Sequence, residues 1–232
     1  MRQLDAVEIQ ETFYRPVSVQ RARKWRAIAP EDFRFAVKAS QFITHEASST
    51  YRRSGRIVPE SEKANYGSFR DTPPVREGWE ATRAIADAVR ATVIVFETPS
   101  SFGPTDVNRT ALYRFFESIR TEAIKVLELR GPWAVHVVEK ICEDLGLVHA
   151  VDPFEKEPAT YGLAYFRLYG SPPGMTPYRY TYTDSDLGRL RAICREYDDA
   201  YVMFNNLSMH ADAIRFRREL TDPGVPADAA RE

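Results

Sequence analysis

An α/β fold on a parallel sheet, doubly wound or closed into a (β/α)₈ barrel, is the architecture the sequence predicts. Three observations carry this. Short apolar runs alternate with longer amphipathic stretches almost from end to end. The most apolar run, ATVIVFE at 91–97, suits a strand buried on both faces. No repeat of about 20–50 residues points to a solenoid.

The elements follow in order. Ala6 to Thr12 (AVEIQET) is the first expected strand, and Ser18 is a good N-cap for a helix running to Ile28. Arg34 to Ala39 (RFAVKA) is the second strand. Residues 41–77 hold HEASSTYRRSGR and DTPP without a clear period, a long loop of the kind that is usually functional or mobile. Trp79 to Arg90 reads as a helix, with Ile85 and Val89 four apart, and leads into the strand at 91–97. A helix at Thr105–Arg120 precedes a strand at Lys125–Arg130 (KVLELR). The helix at Trp133–Leu145 is stopped by Gly146. Strands at Leu147–Val151 and Ala164–Tyr169, a helix from Asp184 to Arg195, a strand at Ala200–Asn206 and a helix at Met209–Leu220 complete the series. Residues 1–220 form one expected domain, followed by a frayed tail at 221–232. The count is seven strands, and no glycine-rich GxGxxG or GxxxxGK turn follows any of them, which argues against a nucleotide site.

Composition narrows the function. The chain has 232 residues, 44% hydrophobic and 28% charged, which excludes a mostly disordered protein. Its 32 basic and 33 acidic residues nearly cancel, so no global field favours nucleic acid or an anionic membrane. The bias of 26 Arg to 6 Lys is weak support for anion binding. Cys142 and Cys194 are too few for a disulfide framework. No apolar run approaches the roughly 18 residues of a membrane helix, and Met1 opens no secretion-type segment, so a cytoplasmic location is expected.

Several ordered segments resemble the YecE-like proteins, domain of unknown function 72: VEIQETFY at 7–14, PEDFRFAVKA at 30–39, FITHE at 42–46, TPSSFGPT at 98–105, LRGPW at 129–133, VDPF at 151–154, YFRLYG at 165–170 and FNN at 204–206. The resemblance runs from about residue 6 to residue 216 and implies a TIM-type barrel with no established activity. It also implies a Gly-containing strand (G-x-x-G-[WF]) ahead of residue 7, which this sequence lacks. A start assigned too far downstream is the favoured explanation. The alternative, an open barrel, would forgo about five ladder bonds at roughly 1 kcal/mol each, and a homodimer could cover the open edge. Tyr169 stands where the family commonly has His, so it would replace that residue in proton transfer or mark a lost activity.

In TIM barrels the site lies at the C-terminal strand ends. There the sequence places Glu8, Gln10, Lys38, Glu97, Glu128, Arg130, Asp152, Arg167, Tyr169, Asn205 and Asn206, with Tyr14 and His45 in following loops. A charge such as Lys38 after FAV or Glu97 after VIVF is expensive to bury without a partner. One reading pairs Lys38 with Glu97 as a structural plug. The other makes Lys38, Arg130 and Arg167 an anion-binding mouth, where Glu97, Glu128, Asp152 or Tyr169 does acid–base work. His45 could swing over that mouth, and Asn205 and Asn206 either contact ligand or satisfy the loop backbone. His149 could ligate a metal with Asp152, Glu97 and Glu128, but no HxH or HxxxH spacing supports this and no cofactor is expected. His136 and both cysteines read as ordinary helix residues. Arg52, Arg53, Arg56, Lys63 and Arg70, interleaved with Tyr51, Tyr66 and Phe69, could contact phosphates and bases, but Glu60, Glu62 and Asp71 offset them.

The leading expectation is therefore an enzyme doing hydrolytic or isomerising acid–base chemistry on a small anionic or polyhydroxylated metabolite. A non-catalytic ligand- or partner-binding barrel and, behind it, a nucleic-acid-processing protein are the alternatives.

Overall fold

The computed structural model describes residues 3–47, 49–170 and 177–221. Seven parallel strands run in sheet order β1 to β7: β1 Ala6–Ile9, β2 Arg34–Lys38, β3 Val93–Glu97, β4 Ile124–Glu128, β5 Val148–Val151, β6 Leu163–Leu168 and β7 Asp199–Phe204. Helices α1 Glu11–Tyr14, α2 Val19–Ile28, α3 Gln41–Thr44, α4 Pro73–Val89, α5 Asp106–Ser118, α6 Val135–Leu145, α7 Asp184–Cys194 and α8 Met209–Thr221 lie between and after them. The chain divides into two compact units, Ala6–His149 and the residues on either side of that segment, with the division falling inside β5.

In the larger unit the expected strands and helices form with shifted ends. β1 stops at Ile9, three residues early, because Gln10 enters the helical region and the chain turns into α1. There the Thr12 hydroxyl donates to the carbonyls of Ile9 and, at 2.6 Å, of Lys38. Ser18 caps α2 as expected, its hydroxyl accepting from the Arg21 amide. Thr105 caps α5 in the same way, and Gly146 ends α6 in the left-handed region that glycine tolerates.

The stretch 41–77, read as loop, is corrected most. It contains α3, two 3₁₀ turns at Ser49–Ser54 and Glu60–Asn65, and the first turn of α4, which begins six residues before Trp79. Pro73 and Pro74 occupy the first positions of α4, where a missing N–H costs nothing, so the dipeptide that looks like a breaker is a start signal. Phe42, Tyr51 and Tyr66 pack together under this stretch, while Phe69 is buried against Phe96, Phe102, Phe115 and Phe116. Gly67, Ser68 and Phe69 take three successive positive φ values, 74°, 51° and 56°. Their amides donate to the carbonyls of Phe42, Thr44 and Ile43. A Cβ on Gly67 would lie 2.2 Å from the His45 carbonyl carbon, so only glycine lets this strand of loop clamp His45 in place.

In the smaller unit β6 and β7 pair over their full length, from Leu163↔Asp199 to Leu168↔Phe204. One face of this sheet carries Ala164, Phe166 and Leu168, buried with Tyr182, Leu187, Leu190 and Phe216 of the helical side. Thr183 and Asp186 form a reciprocal capping box at the start of α7. The expected tail lies, beyond Thr221, outside the described residues.

Candidate functional site

Strand register gathers four charges on one face of the larger unit. Glu8 pairs with Ala36, Ala36 with Val93, Lys38 with Val95 and Glu97 with Glu128. Side chains two residues apart share a face, so Glu8, Lys38, Glu97 and Glu128 all project to the same side. Lys38, Glu97 and Glu128 are buried, at 4%, 7% and 5% exposure.

Lys38 Nζ lies 2.8 Å from Glu97 Oε2 and 4.1 Å from the centre of the Phe13 ring. The ion pair is the one the plug reading anticipates. It does not use up the cluster. Glu97 Oε1 is 3.5 Å from Arg130 Nη1, and Glu128 Oε1 is 3.7 Å from Arg130 Nε. Both contacts exceed the roughly 2.7–2.9 Å of a charge-assisted hydrogen bond. The Arg130 side chain is 42% exposed and forms the open flank of an otherwise buried group.

Local structure explains why Arg130 stands there. Its amide donates to the Thr98 hydroxyl, and the Thr98 amide donates to the Glu128 carbonyl, joining the ends of β3 and β4. A Cβ on Gly131 would meet the Phe102 carbonyl oxygen at 2.3 Å, and the Trp133 indole N–H donates to that same oxygen at 2.7 Å. The segments TPSSF and LRGPW are thus two sides of one close backbone contact.

His45 completes this group. Its ring meets Phe13 edge to face at 4.9 Å, and Nδ1 is 2.8 Å from the Thr44 hydroxyl. Burial drives its pKa down to about 4. Glu97 opposes that shift, and Lys38 and Arg130 add to it. The imidazole is therefore neutral at ordinary pH.

The other predicted residues lie in the smaller unit. Continuing the strand alternation puts Asp152, Arg167, Tyr169 and Asn205 on one face. The Asp152 carboxylate accepts from the amides of Phe154 and Tyr169, both at 3.0 Å. Arg167 is 1% exposed, donates to the Tyr169 hydroxyl and lies 5.3 Å from that ring's centre. Asn205 extends the ladder through its amide, which donates to the Leu168 carbonyl. Asn206 turns the other way. Its Nδ2 donates to the Tyr180 carbonyl at 2.7 Å and to the fully buried Asp212 carboxylate at 2.8 Å, so its side chain holds the loop and α8.

The minor readings of the sequence meet the structure as follows. His149 registers with Leu127, placing it on the opposite side of the sheet from Glu128 and against the proposed metal set. Among the described residues, no three His, Cys, Asp or Glu side chains are arranged to hold a metal ion. Tyr51, Tyr66 and Phe69 are buried, at 2%, 4% and 1% exposure, leaving none of them to stack a base. Arg56 forms a two-pronged pair with Glu77, Arg70 pairs with Glu46, and Lys63 pairs with Glu60. The Arg52 side chain lies outside the described residues. Burial pushes the thiols of Cys142 and Cys194 up to about 12, as suits packing residues. Phe13, which touches both Lys38 and His45, was missed. An aromatic residue after a strand reads as ordinary core, and its one signal was its place in the turn directly after β1.

Among the described residues, seven parallel strands in sequential order, joined by helices everywhere except between β5 and β6 and carrying charges at their C-terminal ends, define a TIM-type (β/α) barrel protein. The sequence profile described as "Protein of unknown function DUF72" matches residues 1–225, and the chain belongs to that family. Among solved structures it is similar to a DUF72 family protein from Enterococcus faecalis, with 16% identity and a TM-score of 0.69, covering 98% of this chain and 89% of that one. A DUF72 family protein from Thermotoga maritima has 20% identity and a TM-score of 0.66, with 94% and 85% covered. Endonuclease IV from Thermus thermophilus shares the fold at 11% identity and a TM-score of 0.55, with 94% and 89% covered. No curated protein matches the sequence. Among the described residues no helix is long and apolar enough to cross a membrane.

Proposed function

We propose that the chain is an enzyme that performs acid–base chemistry on a small anionic or polyhydroxylated metabolite, at the C-terminal ends of β2, β3 and β4. The observation that carries this is the juxtaposition of Glu97 and Glu128, register neighbours and both buried, with Arg130 as the half-exposed cation beside them. A plug needs one cation and one anion. Here a second carboxylate, a half-exposed guanidinium and a neutral imidazole surround the pair, which is the equipment of proton transfer. Arg130 would hold an anionic group, Glu97 and Glu128 would exchange protons with the substrate, and His45 would act as a base.

The non-catalytic alternative is favoured by one feature, the short Lys38–Glu97 pair. One experiment separates the two. The protein is incubated in D₂O with a panel of keto acids, hydroxy acids and sugar phosphates, and loss of carbon-bound protons next to the carbonyl is followed by NMR. The enzyme reading expects exchange in at least one class, with Glu97→Gln and Glu128→Gln slower by about 100-fold or more at unchanged circular dichroism. No exchange across the panel, or a rate in both variants equal to that of the wild type, rejects it.

A further inference from the structure

We propose that Lys38 is a covalent nucleophile, forming an imine with a carbonyl compound whose carboxylate or phosphate is held by Arg130. This deepens the acid–base reading of the same cluster and rests on it.

The geometry supplies each part. An amine nucleophile needs a base within hydrogen-bond reach, and Glu97 Oε2 lies 2.8 Å from Nζ. It needs shelter from bulk water, since dehydration of the adduct competes with solvation. The Lys38 side chain is 6% exposed, and Phe13 covers Nζ at 4.1 Å. An anionic handle on the substrate needs a cation near the nucleophile on the side open to solvent. Arg130 shares Glu97 with Lys38 and is 42% exposed. The other lysines lack this setting: Lys63 and Lys140 pair with acids at the surface, Lys24 and Lys156 are exposed, and Lys125 donates to the Leu145 carbonyl.

The step balances without a further reactant. Glu97 takes one proton from the Lys38 ammonium, and the neutral amine adds to the carbonyl carbon. The carbonyl π pair moves to oxygen, and one of the two remaining nitrogen protons passes to that oxygen by way of Glu128. The proton on Glu97 then goes to the new hydroxyl, which leaves as water, and the nitrogen pair closes the C=N bond. The product is an iminium beside a regenerated Glu97 carboxylate. From it neutral His45 can take a proton from the adjacent carbon, and hydrolysis reverses the sequence.

The test is reductive trapping on the full chain. The protein is incubated with pyruvate, or with dihydroxyacetone phosphate, in the presence of cyanoborohydride, and its peptides are read by mass spectrometry. The expected result is labelling of Lys38 at least about tenfold faster than of Lys24 and Lys140. The arm that labels fastest tells a carboxylate from a phosphate handle. Lys38→Arg keeps the charge and the partner but cannot form an imine, and it should lose both labelling and deuterium exchange while remaining folded. Labelling of Lys38 no faster than of the surface lysines overturns the proposal. Deuterium exchange that survives in Lys38→Arg also overturns it and leaves the acid–base reading standing. Absence of both labelling and exchange in the wild type overturns the two together.

Discussion

His45 links a local contact to a measurable property of the protein. Burial lowers its pKa from 6.5 to about 4, so between those values the unfolded chain holds the extra proton and the folded chain does not. Stability must then fall as pH drops below about 6.5, with a cost of about 2 kcal/mol at pH 5 from this residue. His45→Phe should remove that contribution. Urea unfolding at pH 7.5 and pH 5 is expected to show a loss on acidification about 2 kcal/mol larger in wild type than in the variant. Equal losses would mean that His45 is not held neutral. At this scale the sequence was legible where chemistry and pattern disagree. A lysine after FAV and a glutamate after VIVF announced themselves, and they do meet. Phe13 conforms to its apolar surroundings and gave no such signal. The clamp on His45 was hidden for another reason: it depends on Gly67, twenty-two residues away, whose role exists only once the backbones touch.

Among the elements, helices with caps were read nearly to the residue, while α4 was entered late because its two prolines resemble a loop. The contrast has a physical source. Ser18, Thr105 and Gly146 act through local hydrogen bonds or local backbone freedom, which sequence reports directly. Asp212 acts at a distance. In α8 it looks like a surface acid, yet it is fully buried and accepts from the Asn206 amide group at 2.8 Å, the Ser208 hydroxyl at 2.6 Å and Arg215 at 3.1 Å. It ties the end of β7 to α8, and the Tyr182 amide before α7 reaches it at 3.4 Å. Asp212→Ala should strand these donors and cost about 2–4 kcal/mol, whereas Asp184→Ala, removing an acid whose side chain is 87% exposed, should stay within about 0.5 kcal/mol. Denaturant unfolding of the two variants checks this; similar losses would deny Asp212 its place as the hub. Asn206 belongs to this network, which is why one of the two asparagines ending β7 is structural.

For the molecule as a whole, alternation of strand and helix predicted the parallel order that the sheet has, because each apolar run must find a neighbour and each amphipathic stretch must cover it. The residues of the candidate site were legible from the rule that barrels carry chemistry at strand ends. Their grouping was not, because register decides it: Glu97 beside Glu128, His149 on the other face, Asp152 drawn onto two backbone amides. On the proposed function, the Lys38, Glu97, Glu128 and Arg130 cluster receives a ligand. The most direct test is a crystal structure of the protein grown in the presence of the carbonyl compound that exchanges fastest. Electron density is expected for an anionic group on Arg130 and for a carbonyl carbon at, or bonded to, Lys38 Nζ. A ligand bound elsewhere, above a Lys38–Glu97 pair that stays closed, would contradict it and make that pair a structural plug.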